Sequence, residues 1–130
     1  MQKKVLIVDD EPDILKSFST ALEQNGFIPV TAEDGLEGLK SSREEKPDLI
    51  LLNLMMPEKT GIRMYTELKK DESLKNIPVV VVTRLLLEEA QMQQYWRRRR
   101  FLPGPEGHLQ KPVEPNNLIK AVRKLLFTNN

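Results

Sequence analysis

The sequence predicts an α/β protein with a five-stranded parallel sheet and helices on both faces. Three observations predict it. Short apolar runs alternate with helical patterns along the chain, as in repeated strand–helix units. The runs are continuous and rich in β-branched side chains instead of alternating with polar ones, as expected of strands covered on both faces. Finally, the runs end on chemically distinctive residues: Asp9-Asp10, Asn53, Thr83 and Lys111.

Val5 to Val8 is the first strand. Pro12 suits the first turn of a helix whose Ile14, Leu15, Phe18, Ala21 and Leu22 share one face, and Gly26 can end it. Phe27 to Thr31 reads as the second strand, and Pro29, which cannot donate to a ladder, argues for an edge. Leu36 and Leu39 mark a second helix stopped by Pro47. Leu49 to Leu54 is the third strand and Ile62 to Lys70 the third helix, with Met64, Tyr65 and Leu68 facing inward. Val79 to Thr83 is the fourth strand. Leu85 to Tyr95 carries helical spacing and supplies the fourth helix. The adjacent arginines Arg97 to Arg100 repel one another, and Pro103-Gly104-Pro105 cannot continue a helix, so 101–107 reads as an irregular loop. Only His108 to Gln110 remains for a fifth strand. Leu118, Ile119, Val122, Leu125 and Leu126 stripe the last helix, with Asn116 or Asn117 as its cap.

The 130 residues suit one domain, 1–130, with 84–110 as its atypical fourth-helix and loop segment. A net charge of +1 gives no global field directed at nucleic acid or an anionic membrane. Without cysteine there are neither disulfides nor thiolate metal sites. The N-terminal residues form neither a signal peptide nor a membrane span, so the expected location is cytoplasmic.

In an open parallel sheet, ligands bind beyond the carboxyl ends of the strands, where Asp9, Asp10, Asn53, Thr83 and Lys111 all fall. Mg²⁺ prefers a few carboxylate oxygens, water and a phosphate. A lysine neutralises transferred phosphate, and a threonine hydroxyl hydrogen-bonds one of its oxygens. Singly, each residue has an ordinary explanation. The acids suit a helix N-terminus, Thr83 a strand, Lys111 a solvated surface and Met55-Met56 core filling. Together those explanations require a coincidence of order and spacing, so the site reading prevails.

Val5-Leu6-Ile7-Val8-Asp9-Asp10-Glu11-Pro12, the segment from Pro47-Asp48 through Asn53-Leu54-Met55-Met56-Pro57 with Gly61, Val80-Val81-Val82-Thr83, and Lys111-Pro112-Val113 resemble the receiver domain of two-component response regulators. The resemblance spans almost the whole chain. It implies a doubly wound, flavodoxin-like sheet in the order 2-1-3-4-5, and a phosphorelay signalling module, not an enzyme. It also implies Asp10 as a direct Mg²⁺ ligand, Asp9 acting partly through water, and the Met55 backbone carbonyl as a further ligand. Thr83 becomes the switch hydroxyl and Lys111 the lysine that pairs with the phosphoryl group. The implied partners are a sensor histidine kinase or phosphotransfer protein, and an effector on the face formed by the fourth helix, fifth strand and fifth helix. A homodimer is a further expectation.

Two departures qualify this. Asn53 stands where the family has its phosphoacceptor aspartate, and a neutral amide is a poor nucleophile toward phosphorus. Losing that charge also predicts weaker Mg²⁺ binding, although the amide oxygen could still coordinate. Asn53 is either native to a pseudo-receiver or an engineered, near-isosteric knockout of an ordinary receiver, and the otherwise intact site favours the knockout. The second departure is 84–110. Arg84 follows the switch threonine where the family has a small residue, His108 fills a position often aromatic, and the span to Lys111 is longer than usual. That segment reads as a solvated loop ahead of a basic partner surface, with a shifted coding frame as a third possibility. An alternative function is a small Mg²⁺-dependent phosphatase or phosphotransferase using Asp9. Against it, Glu11-Pro12 stands where a second catalytic acid is needed. Nucleic-acid binding through Arg97 to Arg100 lacks an aromatic platform or a recognition helix.

Overall fold

The continuous apolar runs Val5 to Val8, Leu49 to Leu52 and Val79 to Val82 become central parallel strands because each is covered on both sides. The computed structural model describes residues 2–84, 98 and 103–127. Its strands are β1 (Lys4–Val8), β2 (Ile28–Ala32), β3 (Leu49–Leu52), β4 (Val79–Thr83) and β5 (Gly107–Gln110), all parallel in the order β2-β1-β3-β4-β5. The helices are α1 (Pro12–Gln24), α2 (Gly35–Glu45), α3 (Thr60–Lys70), which follows a short 3₁₀ turn (Pro57–Lys59), and a C-terminal helix, α4 (Pro115–Phe127). This is the flavodoxin-like order, with four helices among the described residues. The fourth helix expected over Leu85 to Tyr95 lies outside the described residues.

Successive strand residues feed opposite cores. Leu6, Val8, Ile50, Leu52, Val79 and Val81 pack with Met64, Tyr65 and Leu68 of α3. Val5, Ile7, Leu49, Leu51, Val80 and Val82 pack with Phe18 and Leu22 of α1 and with Leu118, Ile119 and Val122 of α4. Each fully buried aliphatic side chain contributes about 1.5–3 kcal/mol of transfer free energy, which is why neither face of a central strand tolerates a polar residue.

Several boundaries differ from expectation. β2 runs one residue later, with Phe27 buried ahead of it, and it is indeed an edge strand. β3 stops at Leu52, leaving Asn53 and Leu54 in the loop, while Gly107 joins β5 and shortens the irregular loop. In α2, Leu36 points outward at 68% exposure; the buried face is made of Gly35, Gly38 and Ser42. A side chain at position 38 would meet the Met64 sulfur at 2.6 Å, so α2 and α3 pack too closely for large residues. α4 begins at Pro115, and the N–H groups of Asn117 and Leu118 donate to the Glu114 carbonyl, so the asparagines lie inside the first turn and do not cap it. Gly26 adopts φ 85° just past α1, the left-handed turn that glycine takes without strain. Among the described residues no helix is long and apolar enough to cross a membrane.

The chain returns to the sheet through polar anchors on α3. Glu106 accepts from Lys69 Nζ at 3.1 and 3.2 Å and from the Val79 N–H at 2.7 Å. The Tyr65 hydroxyl donates to the Pro103 carbonyl, and Lys69 Nζ stands 5.6 Å from the Tyr65 ring centre. The Lys69 side chain is 1% exposed, so its charge depends on Glu106.

Glu106→Ala orphans that ammonium and is expected to cost about 3 kcal/mol in urea unfolding. Glu72→Ala, which breaks the exposed Lys75–Glu72 pair, should change little. Equal effects would contradict this account. Burial, reinforced by the Glu106 charge, raises the Tyr65 phenol above its ordinary value. A raised phenol contributes stability that is complete below the ordinary value and lost as pH climbs past it. An ultraviolet titration should therefore show a phenolate step delayed until alkaline unfolding, absent in Tyr65→Phe. A Tyr65 that ionised normally in the folded chain would refute it.

Candidate functional site

Parallel register brings the strand ends into line: Val8 lies beside Leu52, Leu52 beside Val81, and Thr83 beside Gln110. Hydrogen bonding runs one residue further. The Asp9 N–H donates to the Ala32 carbonyl, that of Asn53 to Val8, and that of Lys111 to Thr83, at 3.1, 3.0 and 2.9 Å. The first polar residue after each strand is therefore held almost as firmly as the strand. Asp9, Asn53, Thr83 and Lys111 are all buried. Beside them opens a cleft of about 420 Å³ lined by Asp10, Glu11, Asn53, Met55, Thr83, Arg84 and Lys111.

Lys111 is the electrostatic centre. Its Nζ lies 2.7 Å from Asp9 Oδ2, with both side chains 2% exposed. Asp9 Oδ1 accepts from the Glu11 N–H at 2.9 Å. Glu11 Oε2 lies 2.8 Å from Lys111 Nζ, and Glu11 Oε1 pairs with Arg84. Lys111 first, and Arg84 second, hold the Glu11 carboxyl below the usual carboxylate range. Both Asp9 oxygens are engaged, so Asp9 is not presented as a nucleophile, and the phosphatase alternative loses its key residue.

Asn53 is placed by Gly61. A Cβ at Gly61 would collide with the Asn53 carbonyl and come within 2.7 Å of the Leu54 carbonyl, so α3 starts flush against the β3 end. The Asn53 Oδ1 accepts from the Met55 N–H at 3.2 Å, and its Nδ2 faces Asp10 Oδ1 at a long 3.4 Å. The opposite amide orientation would set two donors against each other at Met55 and two acceptors at Asp10.

The structure thus gathers Asp9, Asp10, Asn53, Met55, Thr83 and Lys111 around one cleft. It does not bring His108 there: His108 sits on β5 opposite Val81, exposed and outside the lining. Glu11 was missed as a site residue. Its signal was Pro12, which fixes the start of α1 and makes Glu11 the N-cap, from which its side chain returns across the cleft.

A family model described as the response regulator receiver domain matches residues 5–123. The chain belongs to that family. Protein PilH of Pseudomonas aeruginosa is 32% identical over 95% of this chain and 97% of its own length. The polar-differentiation response regulator DivK of Brucella anthropi is 32% identical over 97% of this chain and 98% of its own length. The phosphate regulon transcriptional regulatory protein PhoB of Escherichia coli is 34% identical over 97% of this chain, which spans 52% of that longer protein. Among solved structures, the chemotaxis protein CheY4 of Vibrio cholerae has a TM-score of 0.84 at 28% identity, covering 97% of this chain and 100% of that one. The protein is therefore a response regulator receiver domain of two-component signalling.

Receiver domains generally bind Mg²⁺ at the phosphorylation site. In this receiver the cleft is lined by the carboxylates of Asp10 and Glu11 and by the Asn53 amide. Among the described residues no three His, Cys, Asp or Glu side chains group to hold a metal. Asp9 is committed to Lys111, and the amide presents nitrogen, not oxygen, toward Asp10. The Asn53 amide oxygen accepts from the Met55 N–H and keeps a second lone pair.

Proposed function

We propose that this receiver is a cytoplasmic signalling module that accepts no phosphoryl group. Asn53 occupies the phosphoacceptor position, and output runs through partner binding. The observation that carries this reading is the commitment of the Asn53 amide, with its oxygen on the Met55 N–H and its nitrogen toward Asp10. A carboxylate there would bring a second anionic oxygen for attack or for a metal, whereas the amide brings one neutral oxygen, already accepting from Met55, and a donor. Thr83 and Lys111 take the switch and phosphate-pairing roles in this reading. His108, exposed on β5, belongs with the output face and not with the phosphate. The partners proposed are a sensor histidine kinase or phosphotransfer protein, and an effector on the face of the fourth helix, β5 and α4. A second copy of the chain is the further candidate for that face.

Incubation with Mg²⁺ and acetyl phosphate, followed by intact-mass measurement, should leave the chain unmodified and give Asn53→Asp one phosphoryl adduct. A stable adduct at residue 53 of the unaltered chain overturns the proposal. Calorimetric titration should show Mg²⁺ binding about tenfold or more weaker than in Asn53→Asp, because one anionic oxygen ligand is restored by that change. Equal affinities would mean that the amide serves the metal as well as a carboxylate.

A further inference from the structure

The Glu11 carboxylate bridges two cations of the cleft, with Oε2 on Lys111 at 2.8 Å and Oε1 on Arg84. Two oxygens of one anionic group received by an ammonium and a guanidinium form an arrangement that two oxygens of a phosphate satisfy equally well. We propose that Glu11 is an internal competitor: its carboxylate occupies the oxyanion position between Lys111 and Arg84 and keeps external oxyanions out.

Charge supports this. Asp9, Asp10 and Glu11 against Arg84 and Lys111 give three negative charges and two positive, a local net of −1 that repels an incoming anion. Neutralising Glu11 brings the cluster to zero and releases both cations toward the cleft. The two halves of the clasp differ in strength. The Lys111 side chain is 2% exposed and sees little screening, whereas Arg84 is 64% and Glu11 38% exposed. An exposed pair contributes little on its own. Glu11 is therefore held chiefly by Lys111, and Arg84 closes over it from the solvent side. The depressed Glu11 carboxyl agrees with this placement.

The competition is physical and independent of phosphoryl chemistry; only its signalling meaning rests on the receiver reading above. The test titrates inorganic phosphate at fixed ionic strength into the folded protein, followed by NMR shifts at the strand ends. Glu11→Gln should bind about tenfold or more tighter than the unaltered chain, as expected when a charge-assisted internal pair stops competing. Adding Arg84→Ala to Glu11→Gln should reduce the gain, with the larger part kept by the buried Lys111. Glu11→Ser provides a second neutral variant should the glutamine form fold poorly. No gain in either neutral variant overturns the proposal, as does a gain that Arg84→Ala leaves wholly unchanged. In an Asn53→Asp background, Glu11→Gln should also speed labelling by acetyl phosphate. If Asn53→Asp takes no phosphoryl group while Glu11→Gln still gains phosphate affinity, the phosphoacceptor reading fails and the competitor proposal stands.

Discussion

The buried ion pair between Lys111 and Asp9 is the constraint on which the rest of this site depends. Each charge is almost wholly removed from water, at a desolvation cost of several kcal/mol per ion. Only close geometry and further hydrogen bonds offset that cost. Both are present: a 2.7 Å contact, the Glu11 N–H on the second Asp9 oxygen, and the Glu11 carboxylate on the ammonium. The sheet supplies them. Asp9 and Lys111 each follow a parallel strand directly, and each is tied by its own N–H to a neighbouring strand. A slip of one register position would turn one of these charges into an apolar core. The electrostatics thus fix the sheet as firmly as the sheet fixes the electrostatics.

This pair also explains what an amide at position 53 does to the surroundings. Asn53 offers Lys111 no charge, and among the described residues Lys111 is compensated from the β1 side, by Asp9 and Glu11. The negative charge that balances the lysine therefore lies in the loop that begins α1, not at the end of β3. Asp10 receives the long amide contact and stays exposed. In the receiver family, signalling is a local charge change that biases a bistable element. Here the charge around Lys111 is set by Asp9 and Glu11.

Much of this was legible because parallel strands covered on both faces must be continuously apolar, so the polar residues ending them stand out. Asp9, Asn53, Thr83 and Lys111 were found that way, and the structure places them together. The failures have equally physical causes. Periodicity finds large apolar side chains, but α2 packs through Gly35, Gly38 and Ser42, so Leu36 misdirected the helix face. Pro115 set the start of α4 by its fixed backbone angle, which left Asn116 and Asn117 no capping role. Glu11 carries no apolar signature, and its part in the site comes from a side-chain return that spacing does not encode. His108, assigned by family position, lies on β5 opposite Val81, two residues before the strand's end.

The atypical stretch between β4 and β5 is fastened at both ends, and the fastenings are unequal. At its start, Arg84 is tied to Glu11 by a pair open to solvent. At its return, Glu106 is tied to a buried Lys69 and to the first N–H of β4, and Pro103 to the Tyr65 hydroxyl. Breaking the second set leaves a buried charge uncompensated; breaking the first costs little, because water replaces it. Glu11 is the other half of that first contact and also pairs with Lys111, so the exposed pair borders the cation cluster of the cleft. The end of β4 is thus joined to the cleft through Arg84 and Glu11, while its start is joined to α3 through Glu106 and Lys69, where the buried charge lies.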